Sequence, residues 1–225
     1  MSVLQRLRGG LVASCQPVDH GPMDRPDIVA AMAMAAVAGG AIGLRIEGVE
    51  NLRAVRPVVK VPIIGIVKTD LTDSPVRITV TVDDALALAD AGADIIAYDA
   101  TPRVRPSPRE DLLAAILNSG RLAMADCATA EDGRNALAGG ATILGSTLSG
   151  YTAETEGRHD GPDFELIGAF RSFGPVFVMA EGRINTPELA ARAIAAGADA
   201  VTVGSALTRL EHVTGWFASA IRGAS

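Results

Sequence analysis

A short junction that recurs four times along the chain constrains its fold more than any other feature. In each copy an Ala-rich segment contains one or two glycines, and an apolar run follows. Glycine suits the left-handed backbone conformation that closes a helix, and a short apolar run is typical of a buried strand. The copies lie roughly 50 residues apart, which is the length of two strand–helix units. They occupy residues 36–41, 89–94, 136–141 and 194–199.

Four further apolar runs lie between these junctions, so the sequence predicts eight strands with helices between them. Pro26, Pro108 and Pro187 stand near positions where prolines favour the first turn of a helix. Strands that alternate with helices form a parallel sheet, because each helix must pack back against it. Four repeats of such a double unit favour closure, so we predict a single (β/α)8 (TIM) barrel domain over residues 1–225. The predicted strands are residues 11–15, 42–46, 62–67, 95–98, 122–125, 142–144, 176–180 and 200–203.

The charge balance and the longest uncharged segment argue against two classes of partner. A formal net charge of −6 argues against nucleic-acid binding, which depends on an excess of Lys and Arg. The basic run at Arg103, Arg105 and Arg109 is interpreted as a solvated or phosphate-facing loop. Residues 28–44 carry no charge, but a pair of glycines interrupts them. We therefore predict a buried helix followed by a buried strand there, and no membrane association.

Cysteine and histidine usage indicates neither a disulfide framework nor a metal site. Cys15 and Cys127 lie in separate apolar segments, which fits a reducing, cytoplasmic compartment. His20, His159 and His212 are far apart and match no paired ligand spacing. We therefore expect no metal and no cofactor.

Polar side chains follow the predicted odd-numbered strands, where the active site of such a barrel lies. Gln16, Lys68, Asp126 and Glu181 each stand just after one of these strands. A single polar residue on a rim is often accidental, but alternate strands point side chains into one shared layer. The four residues together therefore favour a site at this end of the barrel.

Lys68 and Glu181 are the candidates for acid–base chemistry. Lys68 follows a dry apolar strand, and a desolvated amine loses its proton more easily, unless the side chain simply extends to solvent. Glu181 follows the strand expected to lie across the barrel from it. Arg45, placed after the second strand, is interpreted as a fixed donor to a substrate oxygen or as a rim salt bridge with Glu47.

Two loops predict a phosphate site. Gly182 and Arg183 follow the seventh strand, and Gly204 and Ser205 follow the eighth. Loops at these positions often bind phosphate through backbone amides, although a Gly-Ser pair alone commonly marks a turn. Arg183 and Arg209 add positive charge. The connection over residues 146–162 is too long for a plain turn and is interpreted as a rim loop or lid.

Eight short sequence segments, spread over nearly the whole chain, resemble segments of the N-acetylmannosamine-6-phosphate 2-epimerases, a family of bacterial amino-sugar and sialic-acid breakdown. They lie at 9–16, 65–68, 73–79, 94–101, 124–126, 145–152, 180–184 and 203–209. The resemblance implies a barrel similar to the ribulose-phosphate-binding barrels. It also implies that N-acetylmannosamine 6-phosphate and N-acetylglucosamine 6-phosphate are interconverted by moving a proton at carbon 2.

The resemblance also implies residue roles. Lys68 would be the acid–base lysine and Glu181 its carboxylate partner. The implied substrate contacts are Gln16, Arg45, Asp126 and Tyr151, and the implied phosphate contacts are Gly182, Arg183, Gly204, Ser205 and Arg209. Thr69, Ile46, Glu47 and Leu210 depart from the family's usual residues, which leaves substrate tolerance open.

Three alternative functions remain open from the sequence. Lys68 could form an imine, as in a Schiff-base lyase or aldolase. The barrel could be a keto–aldo isomerase of phosphosugars, or it could bind a phosphorylated ligand without catalysis. For the assembly state we expect a homodimer, because barrels of this size often pair.

Overall fold

The computed structural model describes residues 1–157 and 160–224. Eight parallel strands follow one another around a closed barrel, and the last pairs with the first through Thr202 and Val12. The predicted (β/α)8 barrel is therefore confirmed. The strands are β1 (Leu11–Cys15), β2 (Gly43–Glu47), β3 (Ile63–Ile66), β4 (Ile95–Asp99), β5 (Leu122–Asp126), β6 (Ile143–Gly145), β7 (Phe177–Glu181) and β8 (Ala200–Val203).

Helices alternate with the strands. Pro26 and Pro187 are first helical residues, and Pro108 is the N-cap of its helix. None of the helices in the described part of the chain is long and apolar enough to cross a membrane. They are α1 (Val3–Leu7), α2 (Pro26–Ala38), α3 (Val49–Val55), α4 (Val82–Asp90), α5 (Arg109–Asn118), α6 (Ala130–Ala138), α7 (Phe164–Arg171), α8 (Pro187–Ala195), α9 (Ser205–Thr208) and α10 (Leu210–Gly223).

The recurring junction closes helices as the sequence predicts. Gly40, Gly92, Gly140 and Gly197 have φ angles of +105°, +96°, +105° and +111°, which an L side chain rarely adopts. Where two glycines stand together, only the second is left-handed, while Gly39 stays in the right-handed helical region at −78°. The chain can therefore reverse tightly from α2, α4, α6 and α8 into the following strands.

Strand alternation sorts the apolar side chains into two cores. One core lies between the barrel and its helices, and the other fills the barrel interior. At the amino-terminal end of the strands, Leu7 of α1 is fully buried in the interior core and contacts Gly43 of β2. The sequence analysis missed this five-residue helix. Because apolar side chains fill the interior up to the middle of the strands, the polar opening lies at their carboxyl ends.

The Gly-Ala-Asp form of the junction has a structural role at the opposite end from that opening. Asp94 accepts from Arg56 at 3.0 Å and from the backbone of Ile63 at 2.9 Å. Half a barrel away, Asp199 accepts from Arg171 at 3.0 Å and from the backbone of Val178 at 2.9 Å. Each arginine also donates to two carbonyls of the loop that follows it. The aspartate of the motif, which stands just before β4 or β8, therefore holds the connection that leads into the neighbouring strand, β3 or β7.

Candidate active site

A cavity of about 650 Å³ opens at the carboxyl ends of the strands. It is large enough for a phosphorylated sugar, since small-molecule sites usually span about 300–1,000 Å³. All but one of the predicted site residues line it: Gln16, Arg45, Lys68, Tyr151, Glu181, Gly182, Arg183, Gly204, Ser205 and Arg209. The remaining one, Asp126, lies beneath the floor.

Lys68 enters the cavity from the β3 side, two residues after the strand ends. Its backbone nitrogen donates to Glu47 Oε1 at 3.2 Å, and it pairs with Ile78 as an isolated antiparallel bridge. Burial, together with the positive charges of Arg209 and Arg45, lowers the pKa of the amine to about 8. A neutral amine is thus accessible near neutral pH.

Glu181 is the last residue of β7, and β7 stands opposite β3 in the barrel. Its side chain is 14% exposed. Burial raises the pKa of this carboxyl to about 7, and the nearby charge of Asp126 acts in the same direction. Arg45 and Lys68 oppose the increase without cancelling it. Glu181 can therefore both hold and release a proton near neutral pH.

Arg45 joins the acidic residues of the site. It is the third residue of β2 rather than a residue after the strand, and its side chain is 1% exposed. The guanidinium donates to Asp126 at 2.7 and 3.2 Å and to Glu181 at 3.0 Å. The alternative of a rim salt bridge with Glu47 is wrong. Arg45 points into the barrel, where its partners Asp126 and Glu181 stand on β5 and β7.

Asp126 is fully buried at the end of β5. Besides Arg45, it accepts from the Thr147 hydroxyl at 2.7 Å. This carboxylate is covered by its own partners and does not line the cavity. In the structure it orients Arg45, and a direct contact with sugar stays a prediction.

The predicted phosphate side is built by β1, β7 and β8. The first amides of α9 have no partner within that helix, and they lie beside Gly204 and Ser205 at the cavity wall. Arg209 donates from Nε to the Gln16 carbonyl at 3.0 Å, and Gln16 donates from its amide to Ser14 Oγ at 2.6 Å. The roles of these residues toward phosphate stay predictions.

The connection predicted as a rim loop or lid lies on the rim. Its Thr147, Leu148 and Tyr151 line the cavity. Arg183, whose φ of +54° is unusual for a non-glycine residue, stacks over the Tyr151 ring at 5.1 Å and donates to the Gly161 carbonyl at 2.8 Å. These contacts tie the loop to the end of β7. His159 of this segment lies outside the described residues.

The basic run was interpreted incorrectly at one position. Arg105 is 3% exposed, so it is neither solvated nor phosphate-facing. It pairs with Asp99, the buried last residue of β4, and Arg103 pairs with the same carboxylate at 2.6 Å. The reason is that Asp99 is desolvated and requires counter-charges. Arg103 alone of this run lines the cavity.

Several cavity residues were missed by the sequence analysis. Ser14 and Thr202 could have been found by strand alternation, since each lies two residues before a predicted site residue that directly follows its strand. The Thr202 hydroxyl is buried and has no hydrogen-bond partner within the described residues, so it is available to a bound molecule. The other missed residues include Arg77, Ile78, Asp99, Thr147, His212 and Trp216.

Comparisons with known proteins agree with this geometry. A family described as "Putative N-acetylmannosamine-6-phosphate epimerase" matches residues 29–223. Relatives named "Putative N-acetylmannosamine-6-phosphate 2-epimerase" occur in Pasteurella multocida and Photobacterium profundum. The first is 59% identical over 99% of this chain and 96% of its own length. The second is 59% identical over 99% of this chain and 94% of its own length.

Solved structures lead to the same family. The N-acetylmannosamine-6-phosphate 2-epimerase from Clostridium perfringens superimposes with a TM-score of 0.93 and 38% identity, covering 97% of this chain and 96% of that one. A thiamine phosphate pyrophosphorylase from Pyrococcus furiosus, at 19% identity and a TM-score of 0.63 over 91% of this chain and 88% of that one, shares the fold alone. The chain therefore belongs to the N-acetylmannosamine-6-phosphate epimerase family.

Proposed function

We propose that this protein interconverts N-acetylmannosamine 6-phosphate and N-acetylglucosamine 6-phosphate by proton transfer at carbon 2. One observation carries the assignment of the chemistry to residues: an amine and a carboxyl reach one cavity from opposite strands, and both change protonation near neutral pH. General acids and bases work best when their pKa lies near the working pH. Lys68 and Glu181 meet that requirement together.

The reaction needs a base and an acid on two faces of one carbon. In the open-chain sugar, the C2–H bond breaks and its electrons move toward the C1 aldehyde oxygen, giving an enolate. A proton then bonds to carbon 2 from the opposite face, so no atoms or electrons are gained or lost. Lys68 moves the carbon-bound proton, while Glu181 serves proton transfer from across the site.

The enolate oxygen requires hydrogen-bond donors that are already in place. Positioned proton transfer contributes about 10²- to 10⁴-fold per group, so oxyanion stabilisation must supply much of the remaining rate. Arg45 is held rigidly by Asp126 and Glu181 at the cavity wall. Arg45, Gln16 and the Lys68 ammonium are the proposed donors.

The phosphate group anchors the substrate at the β7–β8 side. The proposed contacts are Gly182, Arg183, Gly204, Ser205 and Arg209, all at the cavity wall. Asp126 contributes by fixing Arg45, and Tyr151 covers the sugar from the rim loop. Binding energy from the phosphate, which does not react, then serves to orient carbon 2.

We also propose that the protein is a homodimer in which α10 packs on a second copy. No residue of this 14-residue helix is buried. His212 and Trp216 border the cavity, whereas Leu210 and Phe217, 61% and 69% exposed, do not line it and lie on a different side of the helix. A helix of this length gains most of its stability from packing, which the second copy provides.

The dimer can be tested by light scattering after size-exclusion chromatography. The wild-type protein should have the mass of two chains, and Phe217→Ser should shift it toward one. Leu86→Ser, which removes a 47% exposed leucine from α4, is the matched control and should not change the mass. A wild-type mass of one chain would refute the dimer.

A cytoplasmic location is also proposed, since the thiols of Cys15 and Cys127 are both free.

The reaction is tested by incubating the protein with N-acetylmannosamine 6-phosphate in deuterium oxide and following proton NMR. The second epimer should accumulate while deuterium replaces the proton at carbon 2. Lys68→Gln should abolish both changes and remain folded. Absence of the second epimer, or no exchange at all, would contradict the proposed reaction. A borohydride-reduced sugar adduct on Lys68 would indicate imine chemistry instead.

A further inference from the structure

The Gly145-Ser146-Thr147 segment after β6 is arranged around the two carboxylates of the site. Ser146 donates from its hydroxyl to the Glu181 carbonyl at 2.9 Å, and the same hydroxyl accepts from the Glu181 backbone nitrogen at 3.1 Å. Two hydrogen bonds to the backbone of one residue fix the point from which its side chain extends.

Thr147 contacts the carboxylates themselves. Its hydroxyl donates to Asp126 Oδ1 at 2.7 Å, and it lies close enough to the Glu181 carboxyl to lower the pKa of that group. A hydroxyl has one proton, so it can donate to only one carboxylate at a time. Asp126 keeps two bonds from Arg45 when Thr147 turns away, whereas Glu181 has a single bond from that guanidinium.

Gly145 makes this contact possible. A Cβ atom at this position would lie 2.9 Å from Thr147 Oγ1, 3.1 Å from Asp126 Oδ1 and 2.6 Å from Met124 Cε. Any side chain there would push the threonine hydroxyl away from the carboxylate. The three residues therefore act as one unit, in which glycine leaves space, serine fixes the backbone and threonine supplies the movable proton.

We propose that Ser146 and Thr147 are positioning residues for Glu181, and that the Thr147 hydroxyl turns from Asp126 to Glu181 when Glu181 gives up its proton. This inference rests on the proposed function, in which Glu181 carries a proton during turnover. The donor becomes available at the step when a buried negative charge forms on Glu181. No other reactant is required, because the hydroxyl proton is redirected and not transferred.

The test compares Thr147→Val, which keeps the shape and removes the hydroxyl, with Thr147→Ser, which keeps the hydroxyl. Thr147→Val should lower kcat roughly tenfold, as expected for one hydrogen bond to a charged group, with KM within about twofold. Thr147→Ser should restore most of kcat. The acid limb of the kcat profile should move to higher pH in Thr147→Val, because the ionised form of Glu181 loses a donor.

Thr152→Val is the matched control, since it removes a buried hydroxyl of the same loop that contacts Thr155 and neither carboxylate. A wild-type kcat and acid limb in Thr147→Val would overturn the inference. A double-mutant cycle separates it from the proposed function. If Glu181→Gln slows exchange at carbon 2, adding Thr147→Val should not lower the exchange rate of that variant further. An equal loss in both backgrounds would refute action through Glu181, and an unimpaired Glu181→Gln would overturn both proposals.

Discussion

The pH dependence of the reaction follows directly from the two groups that face each other across the cavity. The active pair carries one proton in total, on either Lys68 or Glu181, so that one group can accept a proton while the other donates. Below the pKa of Glu181, near 7, both groups are protonated and no base is present. Above the pKa of Lys68, near 8, both are deprotonated and no acid is present. The profile should therefore be a narrow bell.

The two pKa values set the size of the effect. With limbs at about 7 and about 8, roughly 60% of the protein carries a single proton at the optimum, near pH 7.5. At about pH 6 and at about pH 9 this fraction is roughly 9%, so the rate should be about sevenfold below its maximum. Ordinary values of 4.5 and 10.5 would instead give a plateau several pH units wide.

The assay is initial-rate epimerisation of N-acetylmannosamine 6-phosphate across this pH range, with both kcat and KM measured at each pH. The substrate phosphate has its second pKa near 6, so its titration contributes to kcat/KM on the acid side and must be fitted separately. Circular dichroism at each pH confirms that the protein remains folded. The limits of about pH 5.5 and about pH 9.5 lie about 1.5 units outside the two pKa values. A flat kcat between these limits would refute the reasoning that both groups titrate near neutrality.

Three further changes test the electrostatics and the fold. Glu47→Gln removes a negative charge that raises the pKa of Lys68, so the alkaline limb of kcat should move to lower pH, whereas Glu50→Gln, at an exposed position, should leave it in place. Arg45→Met should lower the free energy of unfolding in urea by about 3–5 kcal/mol, because it leaves two buried carboxylates without their counter-charge. Arg53→Met, at an exposed pair, should change that free energy little. Arg171→Met should cost about 2 kcal/mol through lost bonds at the far end of the barrel, with kcat unchanged.

The barrel was predictable because its signals are local. Each strand is a short apolar run, and each helix before β2, β4, β6 and β8 ends near a glycine that must be left-handed. The predicted ends of the strands were less accurate. Glu47, Asp99, Asp126 and Glu181 belong to strands, but they are charged, and the apolar pattern stops before them. These residues are charged because they form the mouth of the barrel.

The partners of these charges could not be read from the sequence. Arg45 bonds residues 81 and 136 positions away, and a local pattern offers only Glu47 as its neighbour. Closure of the barrel, which brings β2, β5 and β7 around one interior, creates those contacts. Conversely, the most conspicuous local motif, Gly-Ala-Asp, acts at the amino-terminal end and has no contact with the site.

The distribution of donors explains which carboxyl carries the proton. The sequence places Asp126 and Glu181 in equivalent positions after odd-numbered strands, and it favours Glu181 for acid–base chemistry only because the seventh strand is expected to lie across from the third. In the structure Asp126 accepts three hydrogen bonds, two from Arg45 and one from Thr147, so donors already occupy both of its oxygens. Glu181 accepts one bond from Arg45, lies beside the charge of Asp126 and borders the cavity. Because a buried guanidinium can compensate only one negative charge fully, the second carboxyl retains its proton more readily, and it is the one that a substrate can reach.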